Sequence, residues 1–170
     1  TTDELTGTYN YRAFTERLSE EQRRARRYDQ PLSLIMVDID NFKVCNDSYG
    51  HQAGNLVLKG IARVVRGIVR DTDVVCRYGG DEFIVILSSA DSSAASAFAE
   101  RFRRRLRERV RAAVPVLPME EVTATVGIAT FLEDPVASAD DLVRLADNRL
   151  YVGKRAGRDR VIWHDLPTSA

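Results

Sequence analysis

The sequence predicts an α/β or α+β domain, because short apolar runs of strand length alternate with longer stretches whose apolar residues recur at helical spacing. Two observations carry this. The run Leu32-Ser33-Leu34-Ile35-Met36-Val37-Asp38-Ile39-Asp40 reads as a buried central strand that closes on two carboxylates, which strand period places on one face. Residues Leu56, Val57, Ile61, Val64, Val65 and Ile68 then repeat with helical period over Ala53 to Val69. In chain order, a first helix is expected from Tyr11 to Tyr28, capped by Asn10, with Phe14, Leu18, Ala25 and Tyr28 turned inward. Pro31 separates it from the central strand. Val74 to Arg77 and Phe83 to Leu87 read as two strands whose connection holds the adjacent Gly79 and Gly80, the mark of a tight hairpin. A helix from Ala94 to Val110 buries Ala95, Phe98, Phe102, Leu106 and Val110. Its other faces carry Arg101, Arg103, Arg104, Arg105, Arg107, Arg109 and Arg111, read as a solvated surface. Val122 to Phe131 is a strand interrupted by Gly127. Ser138 and Asp141 then open a helix as a capping-box variant, and Val161 to Trp163 is a short last strand.

Composition bounds the function classes. The 170 residues hold 25 basic and 25 acidic side chains, a net charge of +0, and 44% are hydrophobic. That describes one soluble domain, expected over residues 1–164 with a tail over 165–170. A neutral chain argues against nucleic-acid binding by bulk electrostatics. The apolar runs fall far short of the ~20 residues of a membrane span, and no signal peptide is seen at Thr1 to Asn10. Cys45 and Cys76 build no disulfide framework or C-x-x-C site, which points to a reducing cytoplasm. Only Lys43, Lys59 and Lys154 are lysines; the other 22 basic residues are arginines.

Asp38 at a strand end and Asp81-Glu82 beside a Gly-Gly turn form the most conspicuous chemical constellation. Carboxylates on neighbouring strand ends suit Mg²⁺, which takes one or two protein oxygens and completes its shell with water and phosphate. Ordinary strand-end and loop acids are the competing reading. Side-chain-free glycines beside the acids let a ligand approach the backbone closely.

Arg77-Tyr78-Gly79-Gly80-Asp81-Glu82-Phe83 resembles the signature of GGDEF domains, the diguanylate cyclase family. Asp3-Glu4-Leu5-Thr6-Gly7 resembles the family's opening turn, and Asp38-Ile39-Asp40-Asn41-Phe42-Lys43 with Asn46-Asp47 and Gly50-His51 its nucleotide-binding segment. Ala146-Asp147, Leu150-Tyr151, Lys154 and Gly157-Arg158 are similar to its phosphate-binding helix, so the likeness runs from Asp3 to about Trp163. The resemblance implies a central, mostly antiparallel five-stranded sheet flanked by helices, like the nucleotide-cyclase and polymerase palm domains. It implies an enzyme that condenses two GTP into cyclic di-GMP with loss of two pyrophosphates, each copy in a homodimer holding one GTP.

By the same resemblance, Asp38, the Ile39 carbonyl, Asp81 and Glu82 would hold Mg²⁺ or Mn²⁺, and Asp81 would take the 3′-hydroxyl proton. Lys43 would stabilise phosphate charge in the transition state, while Lys154 and Arg158 grip the outer phosphates. Asn41, Phe42, His51, Gly79 and Gly80 would line the nucleotide, and Asn46 with the position nine residues on would read guanine. That position is Asn55, where the family has Asp. A carboxylate accepts from both guanine donors, N1–H and N2–H, whereas an amide offers one acceptor and one donor, a pattern that also suits adenine. A minority branch with a small polar residue here makes cyclic GMP-AMP, so use of ATP is an alternative; a slower GTP-only enzyme is the other.

Arg70-Asp71-Thr72-Asp73, five residues before Gly79, resembles the family's inhibitory product site, completed by Arg101. A plain salt bridge at a turn competes with that reading. The neutral net charge would then conceal an acidic pocket at Asp38, Asp81 and Glu82 and a basic one at Arg70 and Arg101. An inactive domain that only binds GTP or cyclic di-GMP is a further alternative, less suited to a complete set of acids and lysines. The chain reads as the catalytic piece of a longer regulator with a sensor. Arg149, where the family has a small residue, has no physical account in the sequence.

Overall fold

The computed structural model describes residues 2–3, 6–113 and 122–165. Glu4, Leu5 and residues 166–170 of the expected tail lie outside the described residues. Five strands form one sheet in the order β2-β3-β1-β4-β5. β1 is Leu32–Ile39, β2 Val74–Arg77, β3 Glu82–Ser88, β4 Ala124–Phe131 and β5 Val161–Ile162. All neighbours run antiparallel except β4 and β5. β1 lies between β3 and β4 and is buried on both faces, as its nearly unbroken apolar run requires.

Four helices cover the sheet: α1 (Tyr11–Tyr28), α2 (Phe42–Ile68), α3 (Ser92–Ala113) and α4 (Ala139–Arg155). Strand alternation divides the core. Ile35, Val37 and Ile39 pack with Val57, Ile61 and Val65 of α2 and Phe98, Phe102 and Leu106 of α3. Leu34 and Met36 point the other way, to Phe14 and Leu18 of α1 and Leu142, Ala146 and Leu150 of α4. Cys45 and Cys76 sit in opposite halves of this core, one on each side of the sheet.

The helix termini follow local chemistry. The Asn10 side chain accepts from Ala13 N–H, and Ser138 with Asp141 completes the capping box of α4. α4 lies so close to β4 that a Cβ on Gly127 would stand 2.1 Å from the Ala146 carbonyl oxygen and 2.4 Å from Leu150 N.

Several expectations are corrected. Tyr28 is 60% exposed, because α1 ends there and its chain turns left-handed at Asp29; the buried positions are instead Glu21 and Gln22. Gln22 is satisfied by donating to the Ala137 carbonyl and Glu21 by accepting from the Ser88 hydroxyl. Leu56 is 48% exposed, lying off the inward stripe that Val57 and Leu58 occupy. α2 begins eleven residues before the expected Ala53, at Phe42, and bends at Gly50, whose φ of 86° interrupts the helix. The arginines of α3 are not all solvated, since Arg103 and Arg107 bind Asp159.

Arg149 is 4% exposed. Its guanidinium makes two 2.8 Å bonds to the two Asp134 carboxylate oxygens and a third to the Ile128 carbonyl. It also donates to the Trp163 carbonyl and to Asp165, tying the segment after β5 to β4 and α4. No helix among the described residues is long and apolar enough to cross a membrane.

Candidate active site at the end of strands β1 and β3

β1 and β3 run antiparallel in a register that sets Asp38 opposite Glu82. One residue beyond each, the Ile39 N–H donates to the Asp81 carbonyl over 3.1 Å. The acids thus meet because the β2–β3 hairpin and β1 end at the same level. The turn between β2 and β3 is held from outside. Arg77 donates to the Gly79 and Gly80 carbonyls at 3.1 and 2.8 Å and reaches Asp3 at 3.5 Å. Asp3 in turn accepts from the Thr6 N–H and hydroxyl, so the opening turn braces the glycine turn. Gly79 leaves room for Glu82, whose carboxylate would lie 3.1 Å from a Cβ there.

Asp38 is 6% exposed. Burial, together with the charges of Asp81 and Glu82, pushes its carboxyl up to about 6, against the lowering pull of a hydrogen bond from Lys154. For the Lys154 ammonium, burial works to lower the pKa but is outweighed by that bond and by the charges of Asp38, Glu82 and Asp81. Lys154 therefore reaches from α4 onto the acids. Three carboxylates facing one lysine leave an excess of negative charge. Among the described residues no three acids, histidines or cysteines gather tightly enough to cage a metal alone. A hard divalent cation that takes a few carboxylate oxygens and shares a phosphate fits this arrangement.

Asp40 lies on the same face as Asp38 but has a different task. Its carboxylate accepts from the Thr123 and Thr125 hydroxyls, both at 2.7 Å, and from the Asp159 N–H at 3.1 Å. The left-handed Asn41 follows and starts α2, on whose first turn Phe42 is buried and Lys43 exposed.

Asn46 forms the second focus. The bend at Gly50 folds the two parts of α2 so that Asn46 Oδ1 lies 1.8 Å from where a Gly54 Cβ would stand. That oxygen is buried and has no hydrogen-bond partner among the described residues, an acceptor beside the exposed Asn55 that would suit a donor on a base. His51 is exposed on the same bend, and Arg158 is exposed in the left-handed turn after α4.

Arg70 and Asp73 of the second expected site lie at the other end of the hairpin. Arg70 bonds Asp73 at 3.2 Å and the Ser88 carbonyl. The Asp73 carboxylate, 2% exposed, also accepts from the Arg70 and Ser88 N–H groups. Arg70 remains 58% exposed and borders a cavity of about 590 Å³ with Glu21, Arg24, Tyr28 and Ser88. Arg101 is exposed on α3.

The sequence reading missed Asp159 and the bracing role of Asp3. Both act through contacts between distant segments, and for Asp159 the local signal is a charged residue two positions after Gly157.

Residues 1–160 match a family model described as "Diguanylate cyclase, GGDEF domain". The chain is similar to diguanylate cyclase DgcP of Pseudomonas aeruginosa, 40% identical over 166 residues, which cover 94% of this chain and 23% of that protein. Diguanylate cyclase DosC of Escherichia coli is 34% identical over 162 residues, covering 95% of this chain and 35% of the relative. The chain thus spans about a quarter to a third of the curated relatives it matches. The crystal structure of the GGDEF domain of DgcB from Caulobacter crescentus, in complex with c-di-GMP, superposes with a TM-score of 0.87 at 31% identity, over 96% of this chain and 92% of that one.

Proposed function

The chain belongs to the GGDEF family, and on that premise we propose that it condenses two GTP into cyclic di-GMP and two pyrophosphates. The observation that carries this reading is the opposition of Asp38 and Glu82 beside Asp81, with Lys154 reaching in from α4. The full-length relatives named diguanylate cyclases support it further.

In this reading Asp38, Asp81, Glu82 and the Ile39 carbonyl hold Mg²⁺ or Mn²⁺. The cation supplies neutralisation of the triphosphate and eases loss of the 3′-hydroxyl proton. The Asp81 carboxylate takes that proton. The 3′-oxygen bonds to the α-phosphorus of the GTP on the partner copy as the bond to pyrophosphate breaks, and the same step in reverse roles closes the ring. Lys43 offsets the charge that grows on the phosphates, and Lys154 with Arg158 grips the outer phosphates. Asn41, Phe42, Gly79 and Gly80 line the nucleotide, and the base lies over Gly54 with Asn46 Oδ1 accepting from a guanine donor, flanked by His51 and Asn55. Asn55 supplies one acceptor fewer than a carboxylate, which slows GTP capture without changing the substrate.

Two copies must meet for turnover, since each GTP provides the nucleophile for the other. Arg70, Asp73 and Arg101 form the site at which cyclic di-GMP inhibits. The domain works in the cytoplasm, over residues 1–164 with a short tail, joined to a sensor in a longer chain, in keeping with the part-length match to its relatives.

Pyrophosphate release from GTP with Mg²⁺ tests this reading. Steady release by the parent and its loss in Asp81→Asn are expected; no release by the parent overturns it.

A further inference from the structure

Three successive residues after α4 adopt left-handed backbone: Gly157 at φ 122°, Arg158 at 64° and Asp159 at 49°. Glycine does this freely, but two side-chain-bearing residues in a row persist there only when surrounding contacts hold them. Those contacts converge on Asp159. Its N–H donates to both Asp40 Oδ2 and Thr125 Oγ1, each at 3.1 Å. Its carbonyl accepts from Arg103 Nη2 at 2.5 Å. Its carboxylate takes Arg103 on Oδ1 at 2.6 Å and Arg107 on Oδ2 at 2.5 Å. Every polar group of Asp159 is engaged by three separate elements of the fold: the end of β1, β4 and α3.

Arg103 and Arg107 are one helical turn apart, so they meet a single carboxylate side by side. Asp40 receives the turn while its other bonds go to Thr123 and Thr125, and at 3% exposure it is committed to this junction. Asp38, two residues earlier at the end of β1, carries Lys154, four residues before Arg158. The end of β1 with Asp38 and the segment from Lys154 to Arg158 are thus clamped together at a point next to both.

We propose that Asp159, fixed by Arg103 and Arg107, is a positioning residue that sets Arg158 and Lys154 at the distance from Asp38 needed to receive a triphosphate. This rests on the reading above that Lys154 and Arg158 hold the GTP phosphates. The contribution is to nucleotide capture, because Asp159 acts through the turn and not on the reacting atoms.

The test combines steady-state kinetics with calorimetric titration of a non-hydrolysable GTP analogue in Mg²⁺. Asp159→Ala is expected to raise both KM and Kd about tenfold with kcat within about twofold. Arg103→Gln with Arg107→Gln is expected to do the same, and to add nothing when combined with Asp159→Ala. A Kd for Asp159→Ala within twofold of the parent, or a fall in kcat at constant KM, overturns the proposal. Should Asp159→Ala not fold by circular dichroism, Arg107→Gln alone keeps the Arg103 pair; an increase in Kd of about threefold supports the role and no increase overturns it. A parent that binds no GTP overturns the functional reading and this role together, whereas a parent that binds with unchanged variants overturns this role alone.

Discussion

Lys154 in the last turn of α4 donates its ammonium to the carboxylate of Asp38 at the end of β1, 116 residues earlier in the chain. The pair brings a cation onto the most buried of the three acids, and it joins the two halves of the proposed site. Lys154→Met is expected to lower kcat/KM for GTP by about 10²–10³-fold, since one charge aimed at the phosphates is lost. Its melting temperature should fall at neutral pH, because the buried Asp38 carboxylate is left beside Asp81 and Glu82 without its cation. Initial rates beside thermal melts check this; parental rates would contradict it.

The same carboxylate predicts how a cation acts on stability. Asp38 is raised from 3.8 to about 6, so the folded protein binds this proton more tightly than the unfolded chain does. Its contribution to stability is therefore present below pH 3.8 and lost as pH rises through about 6. A cation bound to the ionised acid restores it. Millimolar Mg²⁺ is expected to raise the melting temperature at a pH of about 7.5 and to have little effect at about 5. Melts with and without Mg²⁺ at both pH values decide it, and an equal shift at each would contradict the assignment.

Two substitutions away from the site test the packing that supports it. Gly127→Ala pushes a methyl group into the α4 backbone and is expected to cost about 2–3 kcal/mol. Arg149→Met strands the Asp134 carboxylate and is expected to cost about 3–5 kcal/mol. Urea denaturation measures both, and a loss under about 1 kcal/mol in either would show that the contact is slack.

Arg70 is the clean probe of the proposed inhibitory site, because it is exposed while Asp73 also caps the Ser88 N–H. Arg70→Ala is expected to weaken cyclic di-GMP binding by at least about tenfold and to relieve inhibition. Titration calorimetry with cyclic di-GMP checks it; unchanged affinity would contradict the assignment.

Much of this was legible in the sequence where local chemistry decides. Asn10 and Ser138 mark helix starts by capping, and the nearly unbroken apolar run of β1 marks a central strand. The acids at the strand end and the Gly79-Gly80 turn located the candidate site. What escaped depends on contacts between distant segments or on packing at helix ends. Tyr28 fits the apolar stripe of α1 but falls where the helix stops, and polar Gln22 is buried because the Ala137 carbonyl awaits it. The segment before Gly50 carries too few regularly spaced apolar residues to announce a helix. Arg149 is explained by Asp134, Ile128 and Trp163, which the fold gathers around it. Asp159 looked like one more loop acid until α3 supplied its two arginines.

In the function proposed here the acids at the ends of β1 and β3, with Lys154 of α4 and Arg158 of the turn after it, serve the joining of two GTP. Mass spectrometry of the products from GTP alone, and from equal GTP and ATP with Mg²⁺, tests it most directly, for the parent and for Asn55→Asp. Cyclic di-GMP is predicted from both nucleotide supplies. Asn55→Asp, which restores a second acceptor for guanine, should lower the KM for GTP by an amount set by about 1–3 kcal/mol of base discrimination. No cyclic dinucleotide from either supply, or a product of the parent that takes adenine as readily as guanine, would contradict the account.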